Sequence, residues 1–341
     1  MSTSIRNEAA LEAPPSGPRK IRQVLERKDL WFRALTRSGG VVVLAVMALV
    51  GLFLAGNGIS AINSVGLGNF LVTQEWAPEN NNFGIAAVIT GSVLIAAVAL
   101  TVSLPLALGT ALFITEVAGG RVRSILTSVI DLMAAVPSVV FGLWGLSYLQ
   151  VQIVPFARWL STWFGWIPLF AVDGVEPDNP LPNDSLYTSS TFIAGLVVAL
   201  MILPIQTSVM MESFSRAPIG EREGAYALGA TRWGMIRSVV IPFGKGGIIG
   251  GTMLGLGRAL GETIAIYLII NTASYAINFH ILQTGANSVA ALIALKYGEA
   301  NEFTMSALMA AGLALFVLTM LVNFTASAII ARSRSGAESE A

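Results

Sequence analysis

Charged side chains divide the chain into long uncharged blocks, and those blocks set the first expectation. A helix crossing a hydrocarbon core of about 30 Å needs about 20 mainly apolar residues. Five blocks exceed that length: 38–74, 80–115, 132–157, 185–211 and 303–331. In the first, the dense apolar part runs from Val41 to about Leu54, where Gly56, Asn57 and Gly58 are expected to break it. The second gives a long span from about Ile85 to Ile114 with Pro105 inside, the third holds Pro137 near its start, and the fourth holds Pro204 near its end. One more run, from about Gly246 to Ile277, is interrupted by Arg258 and Glu262 and still counts as a span. The pattern therefore predicts an all-α membrane protein with six transmembrane helices.

An even number of spans puts both termini on one side, and the Lys/Arg bias of the connecting loops says which. Of the 20 Lys and Arg, eight lie in the N-terminal tail, Arg121 and Arg123 follow the second span, and Arg216, Arg222, Arg232, Arg237 and Lys245 follow the fourth. Arg332 and Arg334 follow the sixth, whereas the opposite loops hold only Arg158 and Lys296. The orientation expected is N-in, C-in. Residues 1–37 are then an inner tail and 38–332 a six-span domain containing an inner loop at 213–245, with 333–341 as a second inner tail. The first tail is too long and too charged for a signal peptide, so the first span should stay uncleaved. Within it, Pro14, Pro15, Gly17 and Pro18 mark an irregular stretch. After it, Ile21, Val24, Leu25, Lys28, Phe32 and Leu35 recur at helical spacing, as in a basic helix lying on the inner membrane surface or a solvated tail that only sets orientation. The longest outer loop, from about Gln152 to Asp184, carries Trp159, Trp163 and Trp166 and then Asp173, Glu176, Asp178 and Asp184 among Pro177, Pro180 and Pro182. Its tryptophans read as an interfacial belt.

Composition narrows the chemistry. Of 341 residues, 54% are hydrophobic and 12% charged, with a formal net charge of zero; a soluble enzyme and a nucleic-acid-binding protein are both disfavoured. There is no cysteine and one histidine, His280, so thiolate chemistry, metal clusters and Ser-His-Asp hydrolysis are poorly supplied. No G-x-x-x-x-G-K-[ST] loop is present, since Lys245 sits in Phe243-Gly244-Lys245-Gly246-Gly247. Gly255-Leu256-Gly257-Arg258-Ala259-Leu260-Gly261 has the wrong spacing for a dinucleotide fingerprint. Gly247, Gly251 and Gly255, and also Gly257 and Gly261, instead recur every four residues, as helices do where they approach backbone to backbone.

Two charged positions inside a span need a reason. Arg258 and Glu262 lie four apart and are expected to share one helix face. Each costs about 2.5 to 3.5 kcal/mol at a helix centre, so that face should line a pore or the bundle interior. An arginine there offers an oxyanion a fork of donors that stays protonated, and Glu262 would partly neutralise it when no anion is present. An ion pair that only holds helices together is the other reading.

The inner loop is too short for a catalytic domain and too patterned for a linker. Pro218 suits a first helical turn, Ile219 to Leu228 can continue it, and Gly229 allows a turn. Thr231 can cap a second short helix from Arg232 to Val240. Glu223-Gly224-Ala225, Gly229 six residues after the glutamate, then Val239, Ile241 and Pro242 resemble the EAA loop of ABC importer permeases, with Gly224 where that family usually has alanine. Val136-Pro137-Ser138-Val139-Val140-Phe141-Gly142-Leu143-Trp144-Gly145, and Gly255 through Glu262 to Thr263, resemble phosphate importer permeases of the PstC type. The resemblance covers about residues 38–332 and implies a type I ABC importer permease fold in a bacterial plasma membrane. It also implies half of a translocation pore for inorganic phosphate, with no catalysis in this chain. The partners it implies are a second permease (PstA type), two ATPase subunits (PstB type) that bind ATP and Mg, and an outside phosphate-binding protein (PstS type). Glu223, Gly224, Ala225, Gly229 and Pro242 would couple to the ATPase, and Arg258, Glu262, Ser138 and Thr263 would line the substrate pathway. Permeases for sulfate, molybdate or tungstate share the inner loop, and a secondary transporter is the alternative from another class.

Overall fold

The computed structural model describes residues 27–174, 183–270 and 275–334 and is almost wholly helical within them. Pro14 to Pro18, Ile21, Val24, Leu25, Glu176, Asp178 and Pro177, Pro180 and Pro182 lie outside the described residues. Residues up to Val50 form one unit and those from Gly51 a second. Among the described residues, six helices are long and apolar enough to cross a membrane.

Helix α1 runs from Arg27 to Val65 without a break. The expected stop at Gly56-Asn57-Gly58 is absent for two reasons. The Asn57 amide donates to the Phe53 carbonyl at 2.8 Å, so it does not compete with the helix. Gly58 faces the Ala310 backbone, where a Cβ would come within 2.8 Å, so this glycine serves packing rather than termination. Lys28, Phe32 and Leu35 lie within this same helix.

Helix α2 (Leu67–Val72) and a small antiparallel hairpin, β1 (Trp76–Ala77) with β2 (Asn82–Phe83), lead into α3. The hairpin packs Phe83 edge-on against Phe70, Trp76 and Phe303. Helix α3 (Ala86–Leu112) continues through a π turn, Phe113–Val117. Helix α4 (Gly120–Ala135) follows on the same side. The third span begins only after Val136 and Pro137, as α5 (Ser138–Trp144), a π turn and α6 (Gln150–Phe164) in one rod. The span is therefore 138–164 rather than 132–157, because Pro137 holds Val136 in the extended region and separates α4 from it. Trp159 and Trp163 consequently sit on the last turns of a helix, with only Trp166 beyond it.

Helix α7 (Thr191–Ser215) is capped by the Ser190 hydroxyl, which accepts from the Ile193 N–H at 3.4 Å. The inner connection holds α8 (Ile219–Ala227) and α9 (Arg232–Met235), which passes through a π turn, Ile236–Val240, into α10 (Ile241–Gly261). Thr231 does cap, accepting from the Gly234 N–H at 3.1 Å, but the helix it starts does not stop at Val240. It becomes the fifth span, so Ser213 and Lys245, the expected loop ends, both lie within spanning helices. Pro242 removes one donor, and the wider turn just before it takes up the change in register.

After α10 the chain turns through Glu262 and Thr263 into α11 (Ile264–Ile269), later into α12 (Val289–Lys296), and ends in α13 (Glu302–Arg334). Helix α12 was not foreseen. Its buried first turn is held by Ser92, whose hydroxyl accepts from the Val289 N–H at 3.0 Å, and by Gly91, which leaves room for the Asn287 carbonyl. On the side that the loop charges make external, His280 bonds Gln283 at 3.0 Å and faces Asp173 at 3.3 Å, tying two loops together.

At the centre lies α7, with 67% of its membrane window buried. Gly195 meets Ile95 and Val98 of α3, while Met210 and Phe214 share a cluster with Ala107 and Ala111, so α3 and α7 run parallel. Gly247, Gly251 and Gly255 of α10 meet Ser213, Val209 and Gln206 of α7 in descending order, so that pair is antiparallel. These directions are the ones that alternating second, fourth and fifth spans require. Gly257 and Gly261 differ: no backbone approaches within 4 Å of a Cβ at either.

Single cysteines report the orientation, because the native chain has none. Ser213 is a poor reporter, being packed on Gly247; the neighbouring Ser215 is exposed, as is Ser185. A membrane-impermeant maleimide on intact cells should label Ser185→Cys and not Ser215→Cys. The reverse pattern would invert the topology.

Candidate functional site

The two span breaks meet. Gly142 of α5 lies against Ala265 of α11, where a Cβ would stand 2.8 Å from its Cα, and Gly145 lies against Ile269. The two helices therefore run side by side in the same direction. Ser138 precedes Gly142 by four residues and Glu262 precedes Ala265 by three. At 1.5 Å per residue, both breaks fall within about one turn of that contact. Ser138, Glu262 and Thr263 are thus at one depth.

Arg258 and Glu262 do not share a helix face. Arg258 is exposed on the last turn of α10, whereas Glu262 lies past the helix end with ψ 125°. The glutamate is 9% exposed, and its Oε1 accepts from the Ala265 N–H at 3.3 Å. Among the described residues the two form no ion pair. A carboxylate over the first turn of a helix satisfies a free N–H and complements the positive end of its dipole. Glu262 is compensated by α11 and leaves Arg258 unneutralised. The Thr263 hydroxyl donates to the Gly261 carbonyl at 3.2 Å across the same break.

The inner end of the chain is equally specific. Gly229 has φ +83° and ends α8. Its N–H donates to the Tyr226 carbonyl at 2.9 Å, and the Ala230 N–H reaches back to the Ala225 carbonyl at 3.0 Å. These are the two bonds of a Schellman cap, and the left-handed residue within it favours glycine. Glu223 and Gly224 are exposed, Ala225 faces the cluster around Phe214, and Pro242 is exposed on α10. Ile219 and Tyr226 of α8, Leu228 (91% exposed) at its end and Trp233 of α9 are exposed apolar side chains, and α8 itself has no buried residue.

Sequence reasoning passed over three polar residues. Arg222, on the inner face of α8, donates from Nη1 to Glu116 at 3.0 Å and from Nη2 to the Phe214 carbonyl at 2.6 Å. Glu116 stands at the very end of an uncharged block, where it was counted as a boundary rather than as a partner. Gln206 is fully buried beside Gly255, and its amide has no hydrogen-bond partner among the described residues.

Residues 103–335 match the family of binding-protein-dependent transport system inner membrane components. The chain is 36% identical over 313 residues to the phosphate transport system permease protein PstC 2 of Mycobacterium tuberculosis, covering 91% of this chain and 93% of that one. It is 34% identical over 322 residues to the PstC protein of Xylella fastidiosa, covering 94% and 95%. A solved bacterial ABC transporter for import of the acidic polysaccharide alginate superposes with a TM-score of 0.56 at 18% identity, covering 89% of this chain and 96% of that one, and so shares the fold. The chain belongs to the binding-protein-dependent transport inner membrane components, and within them to the PstC permeases.

The loop geometry makes opposite predictions for its two glycines. A Cβ at Gly224 meets nothing within 4 Å, so Gly224→Ala should stabilise α8 by about 0.5 to 1 kcal/mol. Gly229→Val forces a branched residue into the left-handed region and should cost more than about 1 kcal/mol locally. Amide hydrogen exchange over 219–230 in the purified protein should slow in the first variant and quicken in the second.

Proposed function

We propose that the chain is the transmembrane permease subunit of an ATP-driven importer of inorganic phosphate and forms half of its translocation pore in a bacterial plasma membrane. The observation that carries this reading is Arg258, an exposed guanidinium within a membrane span whose nearest acidic neighbour in sequence is committed to capping another helix. A charge so placed is costly against lipid and natural against a water-filled path. Phosphate brings negative charge and several acceptor oxygens, which the guanidinium fork matches at any working pH. Ser138 and Thr263, at the depth of the two breaks, add hydroxyls, and that of Thr263 can exchange the Gly261 carbonyl for a passing anion. Full-length similarity to PstC proteins supports phosphate over sulfate, molybdate or tungstate.

The rest of the pore comes from a second permease of the PstA type, and phosphate is delivered by an outside binding protein of the PstS type. ATP and Mg are bound by two ATPase subunits of the PstB type, since this chain carries no phosphate-cradling loop. Glu223 and the exposed apolar side chains of the inner connection fit a groove on such a subunit. Closure of the nucleotide site then pushes α8, and with it the inner ends of the spans.

The test uses the complete complex in proteoliposomes with ATP inside. Arg258→Lys keeps the charge and loses the fork, so phosphate uptake should fall while the complex still assembles; Arg258→Gln should abolish uptake. Normal uptake in both variants would remove Arg258 from the pathway, and loss of assembly in both would make it a structural residue.

A further inference from the structure

We propose that Arg222 and Glu116 form the pin through which α8 moves the inner ends of the second and fourth spans as one piece; this rests on reading α8 as the coupling helix. Helix α8 has nine residues and none is buried, so apolar contact holds it only through the half-buried Ala225. Beyond the chain itself and its contact with Ile236–Val240, what ties it to the spans is one guanidinium. Its Nη1 bonds the Glu116 carboxylate at the end of the second span, and its Nη2 bonds the Phe214 carbonyl on the last turn of the fourth. Two spans are thus held by a single rigid, planar group. The same Phe214 carries the contact onward, because its ring lies over Gly244 of the fifth span with no room for a Cβ between them.

The burial of the pair makes it a pin rather than a loose contact. The Glu116 side chain is 3% exposed and that of Arg222 20% exposed. Glu116 Oε1 and Arg222 Nε have no hydrogen-bond partner among the described residues, so the carboxylate is compensated through the single bond from Arg222 Nη1 to its Oε2. Pulling α8 away would leave a buried charge uncompensated, which is strongly unfavourable. Movement of α8 with the span ends avoids that cost. The π turn at Phe113–Val117 carries Glu116 at the point where α3 leaves the bundle.

The readout is phosphate transported per ATP hydrolysed by the recovered complex, a ratio that a mere folding staple would not change. Arg222→Lys, which keeps the charge but can reach only one of the two partners, and Glu116→Gln, which removes the opposing charge, should each lower that ratio about tenfold while hydrolysis continues. The double variant should be no worse than the weaker single, as expected of one shared interaction. An unchanged ratio in both single variants, additive losses in the double, or loss of recoverable complex in every variant would overturn the pin. Failure of the unmodified complex to transport phosphate would instead overturn the functional reading, which keeps the two failures apart.

Discussion

The close approach of α7 to α3 on one side and α10 on the other is the constraint on which the rest of the molecule depends. Inside a bilayer no hydrophobic force draws apolar helices together, so they associate through packing and small residues. Gly195 admits α3, and Gly247, Gly251 and Gly255 admit α10. The three rods so formed put their inner ends, Glu116, Phe214 and Gly244, within reach of one short helix. Their other end leaves α10 to stop short at Gly261.

That stop frees backbone groups that need partners. Irregular backbone at membrane depth must find its hydrogen bonds inside the protein or along a water-filled cavity. Glu262 supplies one such bond to the Ala265 N–H, and α5 lies alongside α11 through Gly142 and Gly145. The break at Pro137, just before the third span, comes to the same level as the break after α10. The molecule thereby joins a closely packed bundle to a region of interrupted helices.

Much of this was legible in the residues. Six spans follow from block lengths, the loop chemistry from Glu223, Gly229 and Thr231, and the close seam from the four-residue glycine repeat. What escaped was decided by partners far away in sequence. Gly56 to Gly58 look like a stop until Ala310 is seen against Gly58. Arg258 and Glu262 look like one helix face until the chain leaves the helix at Gly261, for which no local signal such as proline exists. Thr231 was read correctly as a cap, but its helix was given an end at Val240, where a π turn instead carries it on into the fifth span. The pairing of Glu116 with Arg222 spans more than a hundred residues and could not be read from either neighbourhood alone.

The proposal is that this chain passes phosphate and is coupled to an ATPase through the inner helix. It is tested most directly by ATP hydrolysis in the purified, reconstituted complex, measured with the outside binding protein supplied in turn with phosphate, sulfate and molybdate. The account predicts a rate that rises with phosphate and stays at its basal level with the other two. An equal response to all three anions, or a rate indifferent to phosphate, would contradict it.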